Sequence, residues 1–177
     1  MKVPILKGER LVLRPVQVKD APNYVRWFRD KEVMVHFNQA IWRINLDDEK
    51  KSIRKFLRSK DDMNWAIEVK GKHIGGTGIK LDKINKTVRW GIVIGDKQEW
   101  GNGYAVEAAK LCAEYVFTKL RYERIDLFAE TENKRAISVY KKVGFKLEGV
   151  LRSASYNKLL KKRVDSAIMS ILKEEWI

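Results

Sequence analysis

The sequence predicts a single α/β domain in which helices flank a mixed sheet. Three observations predict it. Segments with strand and helix patterning follow one another as strand, helices, three strands, helix, strand, helix and two strands. At their centre, the β-branched run Ile92-Val93-Ile94 leads through a glycine-bearing turn into a helix. The 177 residues, 45% hydrophobic with six Trp, suffice for one packed core and are too apolar for disorder. No repeat, linker or low-complexity stretch divides them, so residues 1–177 are read as one domain.

Glu9-Arg10-Leu11-Val12-Leu13-Arg14 alternates as a first strand, stopped by Pro15. Asp20 is placed to cap a helix with Pro22 in its first turn, and Tyr24, Val25, Trp27 and Phe28 give Ala21 to Arg29 a wide apolar side. Lys31 to Arg43 lacks periodicity and reads as irregular, with His36 in a loop. Asn45 or Asp47 opens a helix to about Ser59, where Ile53, Phe56 and Leu57 recur at helical spacing. Asn64–Val69 and His73–Leu81 are strands about the turn Lys70-Gly71-Lys72, and Gly75, Gly76 and Gly78 mark a bulge or close backbone approach. Asp82 to Lys86 turns the chain into Thr87–Ile94.

A helix follows from about Asn102 to Lys119, with Ala105, Ala108, Ala109, Cys112 and Val116 on one side, small enough to press against a sheet. Arg124–Ala129 is a strand, and Asn133 starts a short helix that Gly144 ends. Phe145–Tyr156 and Lys162–Leu172 are long strands expected to pair.

One cysteine excludes an internal disulfide and gives no metal cluster, which favours a reducing, cytoplasmic setting; Cys112 reads as a packing thiol. No run approaches the roughly 18 apolar residues of a membrane span, and Met1 to Lys7 is too soon polar for a signal peptide. The formal charge of +14 favours anionic partners, but the lysines are dispersed, as on a solvated surface.

In Gln98-Glu99-Trp100-Gly101-Asn102-Gly103-Tyr104-Ala105, two glycines permit backbone shapes and approaches that a Cβ would block. The following helix turns free N–H groups toward the bend, an arrangement that suits phosphate. No Gly-Lys-Ser/Thr follows, and Val106 stands where a dinucleotide fingerprint would have its third glycine. The bend therefore fits a phosphate-bearing ligand without the signature of a nucleoside triphosphate or dinucleotide.

With Asn133-Lys134-Arg135-Ala136-Ile137-Ser138-Val139-Tyr140-Lys141-Lys142-Val143-Gly144-Phe145, this bend resembles the GNAT superfamily of N-acetyltransferases. The two pieces match that family's Gln/Arg-x-x-Gly-x-Gly/Ala loop and its Asn-x-x-Ala-x-x-x-Tyr-x-x-x-Gly-Phe helix. The opening 9–15 with Asp20, and the closing 165–176, are similar to the branch holding ribosomal-protein N-terminal and spermidine acetyltransferases.

The resemblance implies a mostly antiparallel mixed sheet with a splayed strand pair, and acetyl-CoA as donor. It assigns the diphosphate to backbone N–H groups from Gln98 through Ala105, and the pantetheine arm to main-chain groups of Ile92, Val93 and Ile94. It places Asn133, Arg135, Ala136 and Tyr140 at the cofactor, with Lys134 beside the phosphates. Tyr140 is then the general acid that protonates the departing thiolate. The reaction is direct attack of a primary amine in a ternary complex, with no metal.

The acceptors considered are a protein N-terminus and, as the alternative, a polyamine or amino sugar, for which Asp47-Asp48-Glu49 or Asp61-Asp62 could form an acidic cleft. A non-catalytic acyl-CoA sensor is a further alternative. Nucleic acid and membrane partners are not expected; oligomeric state is left open, a homodimer included. Two departures stand out. Arg89 occupies the site where many relatives carry Glu, leaving Glu68, Glu130, Asp30, Glu32, His36 or a water chain to take the proton. In the last hairpin, Ser153 follows Leu151-Arg152, the turn is Asn157 to Lys162, and Arg163 precedes Val164-Asp165, which weakens assignment of the acceptor by branch.

Overall fold

The computed structural model describes residues 3–37 and 44–176. Its strands are β1 (Leu6–Lys7), β2 (Val12–Pro15), β3 (Asp62–Val69), β4 (Lys72–Asp82), β5 (Thr87–Ile94), β6 (Arg124–Glu130), β7 (Lys146–Asn157) and β8 (Lys162–Leu172). They form one 8-stranded open sheet in the order β1-β2-β3-β4-β5-β6-β8-β7. Every neighbouring pair is antiparallel except β5 and β6, which run parallel.

The helices are α1 (Ala21–Arg29), α2 (Lys31–Met34), α3 (Leu46–Arg58), α4 (Tyr104–Glu114, continued by π-helical turns over Tyr115–Leu120) and α5 (Lys134–Val143). The small residues Ala108, Ala109 and Cys112 seat α4 on the sheet in a core that includes Trp65, Val88, Trp90, Leu127 and Met169. A second cluster, around Tyr24, Trp27, Met34 and Ile53, packs α1 to α3 on the opposite face. The sheet is thus covered by helices on both faces.

Several boundaries differ from the sequence reading for physical reasons. The first strand begins at Val12, because Gly8 N–H bonds Leu11 O and Arg10 N–H bonds Glu107, diverting residues 8–10 into a turn. Pro15 is its last residue, and β1 precedes it unpredicted. Asp20 does not cap α1 with its side chain. It accepts two hydrogen bonds from Arg14, each 2.8 Å, and one from Gln17 N–H. Burial pushes this carboxyl up in pKa, but Arg14 and Gln17 outweigh it and leave it below the usual range.

Asn45, rather than Asp47, caps α3, accepting from Asp48 N–H at 2.9 Å. The stretch read as irregular contains α2; its part from 38 to 43 lies outside the described residues. The glycines of β4 mark close approach: a Cβ on Gly76 would meet the Tyr24 hydroxyl at 2.3 Å. β4 also carries the bulge: Ile67 pairs with Gly75 and Glu68 with His73, which leaves Ile74 beside Gly75 as the extra residue. Cys112 is buried, which pushes its thiol up to about 12, as suits a packing residue.

Candidate active site

The site begins where the one parallel pairing fails. β5 and β6 pair at Thr87–Arg124, Val88–Ile125 and Arg89–Asp126, and then part. β5 remains laddered to β4 as far as Gly75–Ile94. Beyond Arg89 the sheet therefore opens along the β6-facing edge of β5. Gly95 N–H bonds Ile74 O toward β4 at 2.9 Å. Main-chain direction alternates along a strand, so the polar groups of Ile92 and Ile94 face the opening and those of Val93 face β4. The Trp100 indole already donates to Ile94 O at 2.7 Å. Of the three residues proposed for the arm, two offer main-chain groups and Val93 does not.

The glycine bend lies beyond this edge. Asp96 accepts from Gln98 N–H and Glu99 N–H, and Trp100 N–H bonds Lys97 O. The amides of Gln98, Glu99 and Trp100 are thus engaged. Those of Gly101, Asn102, Gly103, Tyr104 and Ala105 have no acceptor among the described residues. Gly101 and Gly103 hold φ of +87° and +81°, the left-handed backbone that glycine adopts without a Cβ penalty. The available cradle is 101–105, shorter than the sequence suggested.

Arg10 braces it: Nε donates to Glu107 Oε2 at 2.8 Å, Nη1 to Asn102 O at 2.9 Å, and the guanidinium lies 5.2 Å from the Tyr104 ring centroid. Sequence reasoning missed Arg10, although it stands in the opening motif; Glu107 serves as its anchor. Lys72 meets Asp96 at 2.8 Å and Glu99 at 3.4 Å, neutralising the acids beside the bend.

Helix α5 closes the other side. Asn133 Oδ1 caps it by accepting from Ala136 N–H at 3.0 Å, so that amide is satisfied within the protein. The Arg135 guanidinium lies 4.2 Å from the Trp100 ring centroid and joins the start of α5 to the bend. Lys134 is exposed. Tyr140 is buried, with its ring edge-on to Trp90 at 5.7 Å and to Phe145 at 6.2 Å. Trp90 is the first residue of β5 past the last pairing with β6. The Tyr140 hydroxyl has no hydrogen-bond partner among the described residues, and burial pushes it up to about 12, so it is a protonated phenol at neutral pH.

On the opposite face of the opening, Arg89 forms an ion pair with Asp126 and lies over the Phe128 ring at 4.3 Å. A cation with its own partner therefore fills the position where a carboxylate base was sought. Of the other candidates, Glu68 is held by Arg14 at 2.7 Å, and Asp30 and Glu32 share Lys97 at 2.8 and 2.9 Å. Glu130, buried at the end of β6, accepts from Asn157 Nδ2 at 2.8 Å and meets His36 Nδ1 at 2.9 Å. Asn157, 1% exposed, also reaches Val35 O at 2.6 Å; within a polar hairpin turn nothing in the sequence marked it. Asp61 binds Lys83, Asp62 lies at the closed end of the sheet opposite Lys80, and Asp47 and Asp48 are in the first turn of α3.

Among the described residues no helix is long and apolar enough to cross a membrane. Residues 10–146 match the family model of the acetyltransferase (GNAT) domain. The chain is 29% identical over 181 residues to an uncharacterized N-acetyltransferase, p20, of Bacillus licheniformis, covering 97% of each. It is 30% identical over 98 residues to the spermidine N(1)-acetyltransferase of Escherichia coli K12, covering 55% of this chain and 52% of that one.

Among solved structures, a spermidine N-acetyltransferase from Vibrio cholerae in complex with CoA and spermine superimposes with a TM-score of 0.87 at 20% identity, covering 96% of this chain and 99% of that one. An acetyltransferase (GNAT family) from Bacillus anthracis gives 0.84 at 23% identity, covering 97% and 99%. These structural likenesses show the fold. With the bend, the open strand edge and a family match across most of its length, this chain belongs to the GNAT family of N-acetyltransferases.

Proposed function

We propose that this protein transfers the acetyl group of acetyl-CoA to a primary amine. The observation that carries the reading is the early end of β5–β6 pairing, which leaves a polar strand edge leading to the unpaired amides of 101–105. Unsatisfied backbone groups of this kind call for a ligand or water. The edge suits an extended amide-bearing arm, and the cradle suits a diphosphate. Arg135 adds positive charge beside the bend, and Arg10, paired with Glu107, holds its shape through Asn102 O. Acetyl-CoA supplies the activated acetyl thioester. The N–H of Ile92 or Ile94 can polarise its carbonyl, and the Tyr140 phenol can return a proton to the leaving sulfur.

A small amine is the acceptor class favoured by the relatives named spermidine N(1)-acetyltransferase. A protein N-terminus remains the other class, since the +14 charge does not favour a polycation. The test is thiol release from acetyl-CoA with spermidine, spermine, glucosamine and a peptide bearing a free N-terminus. Release with at least one amine is expected. Saturable CoA binding without release on any of them would identify a sensor instead.

A further inference from the structure

We infer that His36, oriented by Glu130, takes the proton from the acceptor ammonium. This rests on the amine acetylation proposed above and names the base that Arg89 cannot supply. Since Arg89 pairs with Asp126, counting along both strands puts Glu130 level with Val93 across the opening. Partners in a parallel pair project to the same face, so Val93 and Glu130 share the face opposite Trp90 and Tyr140. Residues 35–37 span that face. Val35 O is tied to Asn157, His36 to Glu130, and Phe37 packs on the same cluster as Val93 and Leu159.

The ring is therefore held over the gap on the side where an amine can approach, with the phenol on the far side. Asn157 fixes one Glu130 oxygen and leaves the other for His36 Nδ1. With Nδ1–H donating to that carboxylate, Nε2 presents its lone pair; it has no partner among the described residues. Glu68, Asp30 and Glu32 are committed to Arg14 or Lys97, whereas His36 meets a carboxylate through Nδ1 alone.

The protons balance. His36 Nε2 removes one proton from R–NH3+, directly or through a water. The freed nitrogen lone pair forms the N–C bond to the thioester carbonyl carbon as the C–S bond breaks. Tyr140 protonates the sulfur, and the second nitrogen proton, released as the amide forms, restores the phenol. His36 passes its proton to solvent. Histidine is the catalytic residue here; Glu130 is a positioning residue.

The test uses the full chain, acetyl-CoA and the panel amine with the fastest wild-type thiol release. For H36A the expected result is about a 100-fold fall in kcat/KM at pH 7 with CoA affinity unchanged. Added imidazole should restore turnover, and a weakly basic amine, already unprotonated at pH 7, should be far less affected. E130Q should fall about tenfold. Wild-type turnover in H36A, or a loss that neither imidazole nor the weakly basic amine relieves, would overturn the assignment. If H36A does not fold, H36Q is measured the same way. If the wild type releases no thiol with any amine, the proposed function fails, and this assignment with it.

Discussion

Tyr140 joins the α5 packing to the chemistry proposed for the opening. Its burial against Trp90 and Phe145 suits a core aromatic, yet its hydroxyl is left without a partner among the described residues. Burial disfavours phenolate, so the proton stays in place until a stronger base develops beside it. Tyr140→Phe keeps the ring and loses the donor. Its turnover should fall about 100-fold or more, with CoA affinity within twofold of wild type. Equal turnover across the pH range would remove the phenol from the mechanism.

Glu49 is a second residue defined by burial: it is 5% exposed on α3, with no cationic partner among the described residues, and its carboxyl is pushed up to about 7. A carboxyl whose folded pKa exceeds its unfolded value binds more protons when folded. Stability therefore falls as pH rises from about 4.5 to about 7 and stays lowered above that. Glu49→Gln should melt higher than wild type at pH 8, on the order of 5 °C, with little difference at pH 4. A thermal scan at both pH values checks this; equal melting points at pH 8 would contradict it.

At the scale of elements, α4 and α5 begin differently. Asn133 caps α5 with its own side chain, whereas the N-cap of α4 is Gly103, which is left-handed and has no side chain to meet the first amides. A Cβ on Gly103 would find only Arg10 Nη2, at 3.5 Å, so the demand there is on φ rather than on space. Gly103→Ala should therefore cost about 1–2 kcal/mol in strain, or release it by re-aiming the cradle amides. CoA affinity should weaken about tenfold by calorimetry, a factor worth roughly 1.4 kcal/mol. Normal affinity would argue that the bend does not hold the cofactor.

Both helices, the glycines before α4 and the glycine that ends α5 were legible because capping and left-handed turns are written in a few adjacent residues. β1 and α2 were not, being too short for periodicity to register. Asp20 was misread because its local signal as a helix cap was overridden by Arg14, a partner that only the fold supplies.

The whole molecule is a sheet interrupted at one place. β1 to β5 form one antiparallel wing, and β6, β8 and β7 form another; the wings join through a short parallel contact that ends at Arg89–Asp126. The succession of elements along the chain and the glycine bend could be read from sequence. Where the wings separate could not, nor could His36 meeting Glu130 from 94 residues away, since such pairings leave no periodic trace. Correspondingly, Ile92, Val93 and Ile94 looked equivalent in sequence and become unequal only when β4 takes the main chain of Val93.

That inequality offers the most direct measurement: residue-resolved amide hydrogen exchange by NMR, with and without CoA. The expected result is protection at Gly101 to Ala105 and at Ile92 and Ile94, with Val93 unchanged because β4 already protects it. Saturable CoA binding that leaves those amides exchanging as in the free protein would contradict a cofactor gripped at the bend and laid along the open edge of β5.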